Sequence, residues 1–483
     1  LQAGSRAQPI RRAPEEWKNF GARASQWRRM PLHDTRPEPL PTLDARLAGP
    51  APQVGIVGLG HVGLPLALAF VRAGARVRGH DTDERVLASL ARHETPLAHL
   101  DAHALRTALA AERLTVSADA QELAPCDVCC VCVPTPLGPH REPDLAQVES
   151  AARALAALPA PGERGGRERL LLLCSTTYPG TTRDVCGGLL SAAGRVAGRD
   201  YELAYAPERE DPGRSDWSSS AIPRIVGGTS ERSGALAQAF LARAFQSVTR
   251  VSSAEVAESA KLLENVFRAV NIALVNELKW ILSDLAIDIW EVVDAAATKP
   301  FGFMRFEPGP GMGGHCIPID PFYLAWAARK VGRNSRFIEL AGEINREVPQ
   351  AVVQRMLLAL NERGRALRGA RVLLLGVAYK REVSDVRESP ALALLRQLRE
   401  LGAELAYSDP HVPRLDACEA TGGLALESQP LSAELLASFD AVVLATDHAA
   451  FDYALIARAS RLLVDTRGAL RHELAGQPGY VQA

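Results

Sequence analysis

Val54-Gly55-Ile56-Val57-Gly58-Leu59-Gly60-His61-Val62-Gly63 is a short apolar run followed by three glycines at the spacing of a dinucleotide-binding turn. Residues 54–57 read as a buried strand and residues 64–73 as the helix that follows. Gly58 permits the tight turn, Gly60 lets the backbone approach a pyrophosphate, and Gly63 lets helix and strand pack closely. His61 and Val62 complete the turn. The helix N-terminus then offers free N–H groups and the positive end of its dipole to an anion. Asp81 closes the next strand about 20 residues on, where a carboxylate can bond a ribose 2′-hydroxyl. The same carboxylate repels the 2′-phosphate of NADP, so the pattern favours NAD. A lone glycine fingerprint is weak. Strand, glycines, helix, strand and acid in this order carry the reading against a cofactor-free glycine turn.

Outward from this turn, residues 53–245 alternate short apolar runs with amphipathic stretches. Further strands are expected at 76–79, 128–133 and 170–174, which implies a doubly wound parallel sheet. From residue 254 the rhythm changes. Residues 259–285 contain no glycine or proline and predict one long helix, with more helices to about residue 360. A second alternating region opens at Arg371-Val-Leu-Leu-Leu-Gly376, with later strands at 404–407, 441–445 and 462–464. The expected fold is therefore α/β: two Rossmann-like doubly wound domains joined by a long central helix and a helical middle domain. The boundaries read as an extension over 1–50, a dinucleotide-binding domain over 51–250, a helical domain over 251–360 and a second Rossmann-like domain over 361–483.

The chain has 483 residues, 47% of them apolar, and a formal net charge of −1. No basic excess points to nucleic acid and no acidic tail is present. No apolar run approaches the roughly 20 residues that a bilayer requires. The first fifty residues are rich in Arg and Pro without a period, and are expected to lack packed structure. A targeting peptide is disfavoured there by Glu15, Glu16 and Asp34. Eight cysteines in so long a chain do not make a disulfide scaffold. Four of them crowd together as Cys126, Cys129, Cys130 and Cys132. A metal reading fails because they fall in one continuous apolar run, Asp127-Val-Cys-Cys-Val-Cys-Val133, whereas tetrahedral sites draw ligand pairs from separate loops. They read as small hydrophobes in a strand. The set fits a reducing cytoplasm, and no metal is expected.

Gly311-Met-Gly-Gly-His-Cys316-Ile-Pro-Ile-Asp320 holds the candidate nucleophile. Gly313 and Gly314 allow other groups close to the backbone. A cysteine near a helix start with cations nearby has a thiol pKa of about 3.5–7.5 and is a thiolate at neutral pH. Structural packing is the alternative for any cysteine; the glycine-rich setting favours the nucleophile. On the long helix, Lys261, Asn265 and Arg268 are spaced i, i+4, i+7 and share one face. Spacing alone favours a solvated stripe; the functional alternative is a polar stripe facing a cleft. A nicotinamide and a thiolate together suggest aldehyde oxidation, because the aldehyde must first become a tetrahedral adduct that can lose hydride.

Several separate segments now align. Val133-Pro-Thr-Pro136, Ser175-Thr-Thr-Tyr-Pro-Gly180, Ala206-Pro-Glu-Arg-Glu-Asp-Pro-Gly213, Lys261-Leu-Leu-Glu-Asn265, Gly313-Gly-His-Cys-Ile-Pro-Ile-Asp320 and Arg387-Glu-Ser-Pro390 resemble, in order, the motifs of the UDP-glucose/GDP-mannose dehydrogenase family. The resemblance runs from about Val54 to the C-terminus. It implies two successive hydride transfers to NAD that take a sugar C6 alcohol to a carboxylate. By that resemblance Cys316 attacks the aldehyde, Lys261 and Asn265 stabilise oxyanions near C6, and Asp320, Glu208 and Thr176 hold and activate water. Thr135, Thr176, Arg85 and Arg387 resemble cofactor contacts. Glu208, Arg209, Glu210, Arg268 and Gly313 resemble substrate contacts, as do Lys261 and Asn265. Lys380 resembles a UDP contact, with Lys299 a weaker candidate. The last domain would bind UDP and the middle helices would form a dimer core, with no nucleic-acid or membrane partner.

His315 and Ile319 stand where the UDP-glucose members carry Ser and Lys, and so resemble the branch that acts on N-acetylated sugars. Asp294-Ala-Ala-Ala-Thr-Lys-Pro-Phe-Gly-Phe303 and Pro318-Ile-Asp-Pro-Phe-Tyr323 resemble members that oxidise UDP-N-acetylglucosamine for lipopolysaccharide O-antigen. UDP-N-acetylmannosamine and UDP-glucose are the alternatives. Two departures stand out. His61 replaces the family's usual Tyr, and residues 1–50 have no counterpart in the family. The second glutamate of the UDP-glucose members falls near Pro212, so its role passes to Glu210, to Asp211 or to no residue. A two-electron β-hydroxyacid dehydrogenase needs neither the thiol nor the last domain. A silent nucleotide-sugar-binding protein would not need the set Cys316, Lys261, Asn265 and Asp320.

Overall fold

β1 (Gln53–Val57) is buried at four of its five positions because parallel strands flank it on both sides. The computed structural model describes residues 42–97, 100–164, 166–209, 220–314 and 317–483. In the first domain, β1 is followed by β2 (Arg76–His80), β3 (Leu114–Ser117), β4 (Val128–Val131), β5 (Arg169–Leu173), β6 (Tyr201–Tyr205), β7 (Arg224–Gly228) and β8 (Val248–Val251). They form one sheet in the order β3-β2-β1-β4-β5-β6-β7-β8. Every pairing is parallel except β6 with β7. That reversal departs from the expected all-parallel sheet, and apolar patterning carries no information on strand direction. The chain changes direction across the sheet between β1 and β4, which opens the crevice where doubly wound sheets take their ligands. The cysteines of the apolar run are buried and alternate with the strand period. Cys130 and Cys132 join the core that holds Ile56 and Leu172, whereas Cys126 and Cys129 join that of Val131 and Leu171.

The expected extension is corrected over its last residues. α1 (Thr42–Ala48) is a helix packed on the first domain. Leu43 is fully buried and Leu47 nearly so. Arg46 donates to Asp127 at 2.7 Å and to the Glu168 carbonyl at 2.6 Å. Two leucines four apart are too short a pattern to declare a helix in sequence, yet they suffice once a hydrophobic surface receives them. Residues 1–41 lie outside the described residues.

α2 (Gly63–Arg72) follows the glycine turn. α3 (Ala254–Asp284) has 31 residues and is capped by Ser253, whose side chain accepts from the Val256 N–H. At 1.5 Å per residue it runs roughly 46 Å. It packs against α4 (Asp320–Lys330) and lengthwise against α5 (Arg336–Glu362). The last domain holds β9 (Arg371–Leu375), β10 (Glu404–Ser408), β13 (Ala441–Leu444), β14 (Leu463–Asp465) and β15 (Tyr480–Gln482), all parallel, in the order β10-β9-β13-β14-β15. β11 (Arg414–Leu415) and β12 (Leu426–Glu427) form a short antiparallel pair beside it. Among the described residues no helix is long and apolar enough to cross a membrane.

Leu43→Ala is expected to cost the first domain about 2–5 kcal/mol through the cavity it leaves. Denaturant unfolding measures this, and an unchanged midpoint would mean that α1 is not part of the domain.

Candidate active site

The cofactor crevice begins at Gly58, which has φ +93° and donates its N–H to the His80 carbonyl at 2.8 Å. A Cβ there would lie 2.7 Å from the Cys132 carbonyl oxygen, and one on Gly63 would overlap the carbonyl of Gly58. The fold itself therefore demands both glycines. A Cβ on Gly60 would meet nothing within 4 Å, so the room it leaves serves a group outside the chain. No side chain caps the start of α2 at Val62, and the Leu64 N–H donates to the Gly60 carbonyl at 3.1 Å, so the helix start meets an anion through its dipole and its backbone. Asp81 is held at the end of β2 by the N–H groups of Leu59 (2.7 Å) and Asp83 (2.9 Å). A glycine turn with open space, an uncapped helix start and a fixed carboxylate fit an adenine dinucleotide. Arg85 is paired with Asp83 at 2.8 Å and is largely exposed. The hydrogen bonds from Arg85 hold the Asp83 carboxyl at about 2.

A buried polar cluster is built where α3, α4 and the loop after β5 meet. Asn265 donates to Asp320 at 2.5 Å, and the Thr176 hydroxyl and Lys261 also act on that carboxylate. Lys261, Asn265 and Asp320 are all less than 9% exposed. The stripe on the long helix therefore faces inward, against what spacing alone favours, while Arg268 at its end is half-buried. Burial pushes the Asp320 carboxyl up to about 6, against the pull of Lys261, Asn265 and Thr176. A lysine, an amide and a carboxylate that changes charge near neutrality are the parts of a proton-handling site with oxyanion donors.

His315 and Cys316 lie outside the described residues, as do Glu210 and Asp211. The segment leading to Cys316 is fixed nevertheless. Gly309 donates to Asn276 at 3.0 Å and accepts from Lys279 at 3.3 Å, both on α3. Burial brings the Lys279 ammonium down to about 7, with Arg355 and Arg467 adding to the effect. Gly314 has φ +92° and donates to the Arg387 carbonyl at 3.2 Å. A Cβ on Gly313 or Gly314 would press on Tyr379, at 2.9 Å and 2.8 Å. Lys380 follows Tyr379 directly, so the last domain brings its candidate UDP contact beside this loop. Arg387 bonds Asp385 at 2.6 Å. Burial raises the Asp385 carboxyl, but the Arg387 bonds and then His61 outweigh it and hold it low. The influence of His61 on Asp385 relates the glycine turn to the loop of Arg387 across a charge–charge distance.

The remaining expected residues fall further out. Thr135 is buried beside the hydroxyl of Tyr323. Arg209 reaches α3 through Glu264 at 2.5 Å, one residue before Asn265. Glu208 turns to the guanidinium of Arg224 and accepts from the Arg209 N–H at 2.6 Å. Lys299 lies over the ring of Phe301 and is exposed. Sequence reasoning passed over Glu258, which is fully buried three residues before Lys261. It accepts from the N–H and hydroxyl of Thr182 (2.8 and 2.6 Å) and from Gly180 N–H (2.7 Å), and so anchors the loop that carries Thr176. Burial pushes its carboxyl up to about 7 despite those donors. The spacing 258, 261, 265 on one helical face was the available signal.

Residues 52–245 match the NAD binding domain of the UDP-glucose/GDP-mannose dehydrogenase family, residues 255–347 its central domain and residues 373–472 its UDP binding domain. The chain belongs to this family. It is 32% identical over 401 residues to a UDP-N-acetyl-D-glucosamine 6-dehydrogenase of Pseudomonas aeruginosa, which covers 83% of this chain and 91% of that protein. It is 31% identical to a UDP-N-acetyl-D-mannosamine dehydrogenase of Pyrococcus horikoshii, over 88% of this chain and 97% of the relative. A solved structure of UDP-D-ManNAc dehydrogenase from Pyrococcus horikoshii superposes with a TM-score of 0.78 at 29% identity, over 89% of this chain and 98% of the other. As a family member the chain is an NAD-dependent UDP-sugar dehydrogenase.

Because the Asp320 value is raised above the ordinary 3.8, its neutral form is favoured in the fold. Its contribution to stability is present below that ordinary value and is lost as pH rises through about 6. Turnover is expected to fall below a midpoint near 6, where the carboxylate is protonated. Asp320→Asn should remove that limb, slow turnover by about 10²–10⁴-fold and raise the melting temperature at alkaline pH. A pH–rate profile with parallel thermal melts checks all three, and a flat wild-type profile across this range would remove Asp320 from the rate.

Proposed function

We propose that this enzyme oxidises the C6 hydroxyl of UDP-N-acetylglucosamine to the carboxylate, with Cys316 as nucleophile. The observation that carries the reading is the buried set of Asn265, Asp320 and Lys261, with the half-buried Thr176 acting on the same carboxylate. NAD, when bound, accepts one hydride in each of two oxidations. The chain's own groups handle the rest. Lys261 and Asn265 stabilise negative charge on the C6 oxygen. Cys316 adds to the aldehyde carbon as a thiohemiacetal, which hydride loss converts to a thioester. Asp320, as carboxylate, takes a proton from the water that releases the acid, and the thiolate leaves. Alcohol, water and two NAD thus give acid, two NADH and two protons. Glu208, Arg209, Glu210, Arg268 and Lys380 are proposed to hold the UDP-sugar, and Thr135, Arg85 and Arg387 the cofactor.

The N-acetylglucosamine assignment rests on His315 and Ile319 and on likeness to the Pseudomonas aeruginosa relative. The Pyrococcus horikoshii relative makes UDP-N-acetylmannosamine the second reading. A uronic acid product suits surface polysaccharide such as O-antigen. The described cysteines are all free thiols, which supports work in a reducing cytoplasm. A homodimer through the middle helices is also proposed. Leu263, Phe267, Leu274 and Ile281 on α3, with Leu285 just past its end, lie 4, 7, 7 and 4 residues apart and are exposed, a single apolar stripe that a partner would cover.

Two NADH are expected per UDP-N-acetylglucosamine, and Cys316→Ser should abolish acid formation. One NADH per turnover would reject the four-electron reading. Faster turnover of UDP-N-acetylmannosamine or UDP-glucose in the same panel would reject the sugar. Leu263→Glu with Phe267→Glu should yield monomer on light scattering, and an unchanged mass would place the interface elsewhere.

A further inference from the structure

The last domain repeats the turn of the first. Gly376 has φ +77° and donates to the Ser408 carbonyl at 2.9 Å, as Gly58 does to His80. Asp409 follows β10 as Asp81 follows β2. Their surroundings differ. Asp81 borders the open turn at Gly60, whereas Asp409 is buried and accepts from the N–H groups of Val377 (2.7 Å), Ala378 (3.1 Å), His411 (2.8 Å) and Val412 (3.0 Å). Its remaining neighbour is His448, fully buried beyond β13, whose Nε2 lies 3.2 Å from Asp409 Oδ2. Side chains thus fill the crevice that a dinucleotide occupies in the first domain.

These side chains make a specific set. The Glu382 N–H donates to His448 Nδ1 at 3.1 Å. Nδ1 is therefore the unprotonated nitrogen, and Nε2 carries the proton toward Asp409. A carboxylate on one ring nitrogen and a lone pair on the other is the arrangement that orients metal-bound imidazoles. Glu382 Oε1 lies 3.8 Å from His448 Nδ1, and Oε2 lies 3.5 Å from His411 Nε2. One donor atom from each of the three residues falls within 4.8 Å of the others. His411 Nε2 is buried and makes no hydrogen bond. Glu382 itself has φ +60°, a left-handed backbone that a glutamate adopts only when its surroundings impose it. That turn aims its carboxylate at both rings.

We propose that Glu382, His411 and His448 form a binding site for Zn²⁺ that ties together the ends of β9, β10 and β13. Two imidazoles and one carboxylate suit zinc, whereas Mg²⁺ and Ca²⁺ take oxygen ligands. Tetrahedral zinc with ligands at about 2.0–2.1 Å sets them roughly 3.3 Å apart, so donors that now stand 3.5 Å and up to 4.8 Å apart draw together around the ion. The ion replaces the Glu382 N–H at His448 Nδ1. Oε1 keeps its bond from the Ala449 N–H at 2.7 Å, so Oε2 faces the ion. Solvent takes the fourth position. None of the three groups is assigned to the oxidation, and the ion would hold the three strand ends together.

The test uses the full-length chain without a polyhistidine tag, carrying Cys316→Ser so that the reactive thiol does not bind metal. After chelator treatment, Zn²⁺ is titrated by calorimetry and Co²⁺ by its visible d–d absorption. One equivalent of each should bind, with tetrahedral Co²⁺ bands, and Zn²⁺ should raise the melting temperature. His411→Ala and Glu382→Gln, both at accessible positions, should each weaken binding by about tenfold or more. With Cys316 restored, the same two variants should form NADH at the wild-type rate. Absence of a stoichiometric site, or an affinity unchanged by either substitution, overturns the proposal.

Discussion

The hydrogen bond from Asn265 to Asp320 joins the middle of α3 to the first residue of α4 inside a space that solvent scarcely enters. A buried carboxylate is costly unless partners meet it. Here the partners are Asn265, Lys261 and the Thr176 hydroxyl, drawn from two domains. Each must be held where its side chain converges, and that requirement shapes the rest. α3 is long because one helix must place Lys261 and Asn265 under the first domain and, several turns on, Asn276 and Lys279 under the Gly309 loop. Glu258 spends a second buried carboxylate to pin the loop of Thr176. The raised values of both acids record what this convergence costs in stability.

Elements that bury both faces were legible in sequence. The runs at β1, β4, β5 and β9 are continuous and apolar because strands flank them, and the glycine turn announces its own geometry. α3 was legible from the lack of glycine and proline. What failed were features set by partners distant in the chain. α1 rests on Leu43 and Leu47 meeting a surface made mostly beyond residue 53. The inward turn of Lys261 and Asn265 cannot be told from a solvated stripe until α4 packs over it. Strand direction at β7 leaves no trace in hydrophobicity. In the site, residue types were visible, but the pairing of Glu208 with Arg224 was not, since it depends on the β6–β7 reversal that brings position 224 alongside.

The two Rossmann-like domains divide their work by what fills the crevice. In the first, Gly60 faces open space and Asp81 is bonded by backbone N–H groups while bordering the turn. In the last, Asp409 and His448 close the corresponding space. The residues this domain brings to the Gly313–Gly314 loop are Tyr379 and Arg387, with Lys380 between them in sequence. The same fold thus leaves one turn open and closes the other, and the difference comes down to whether the acid after the second strand borders a glycine or a buried histidine.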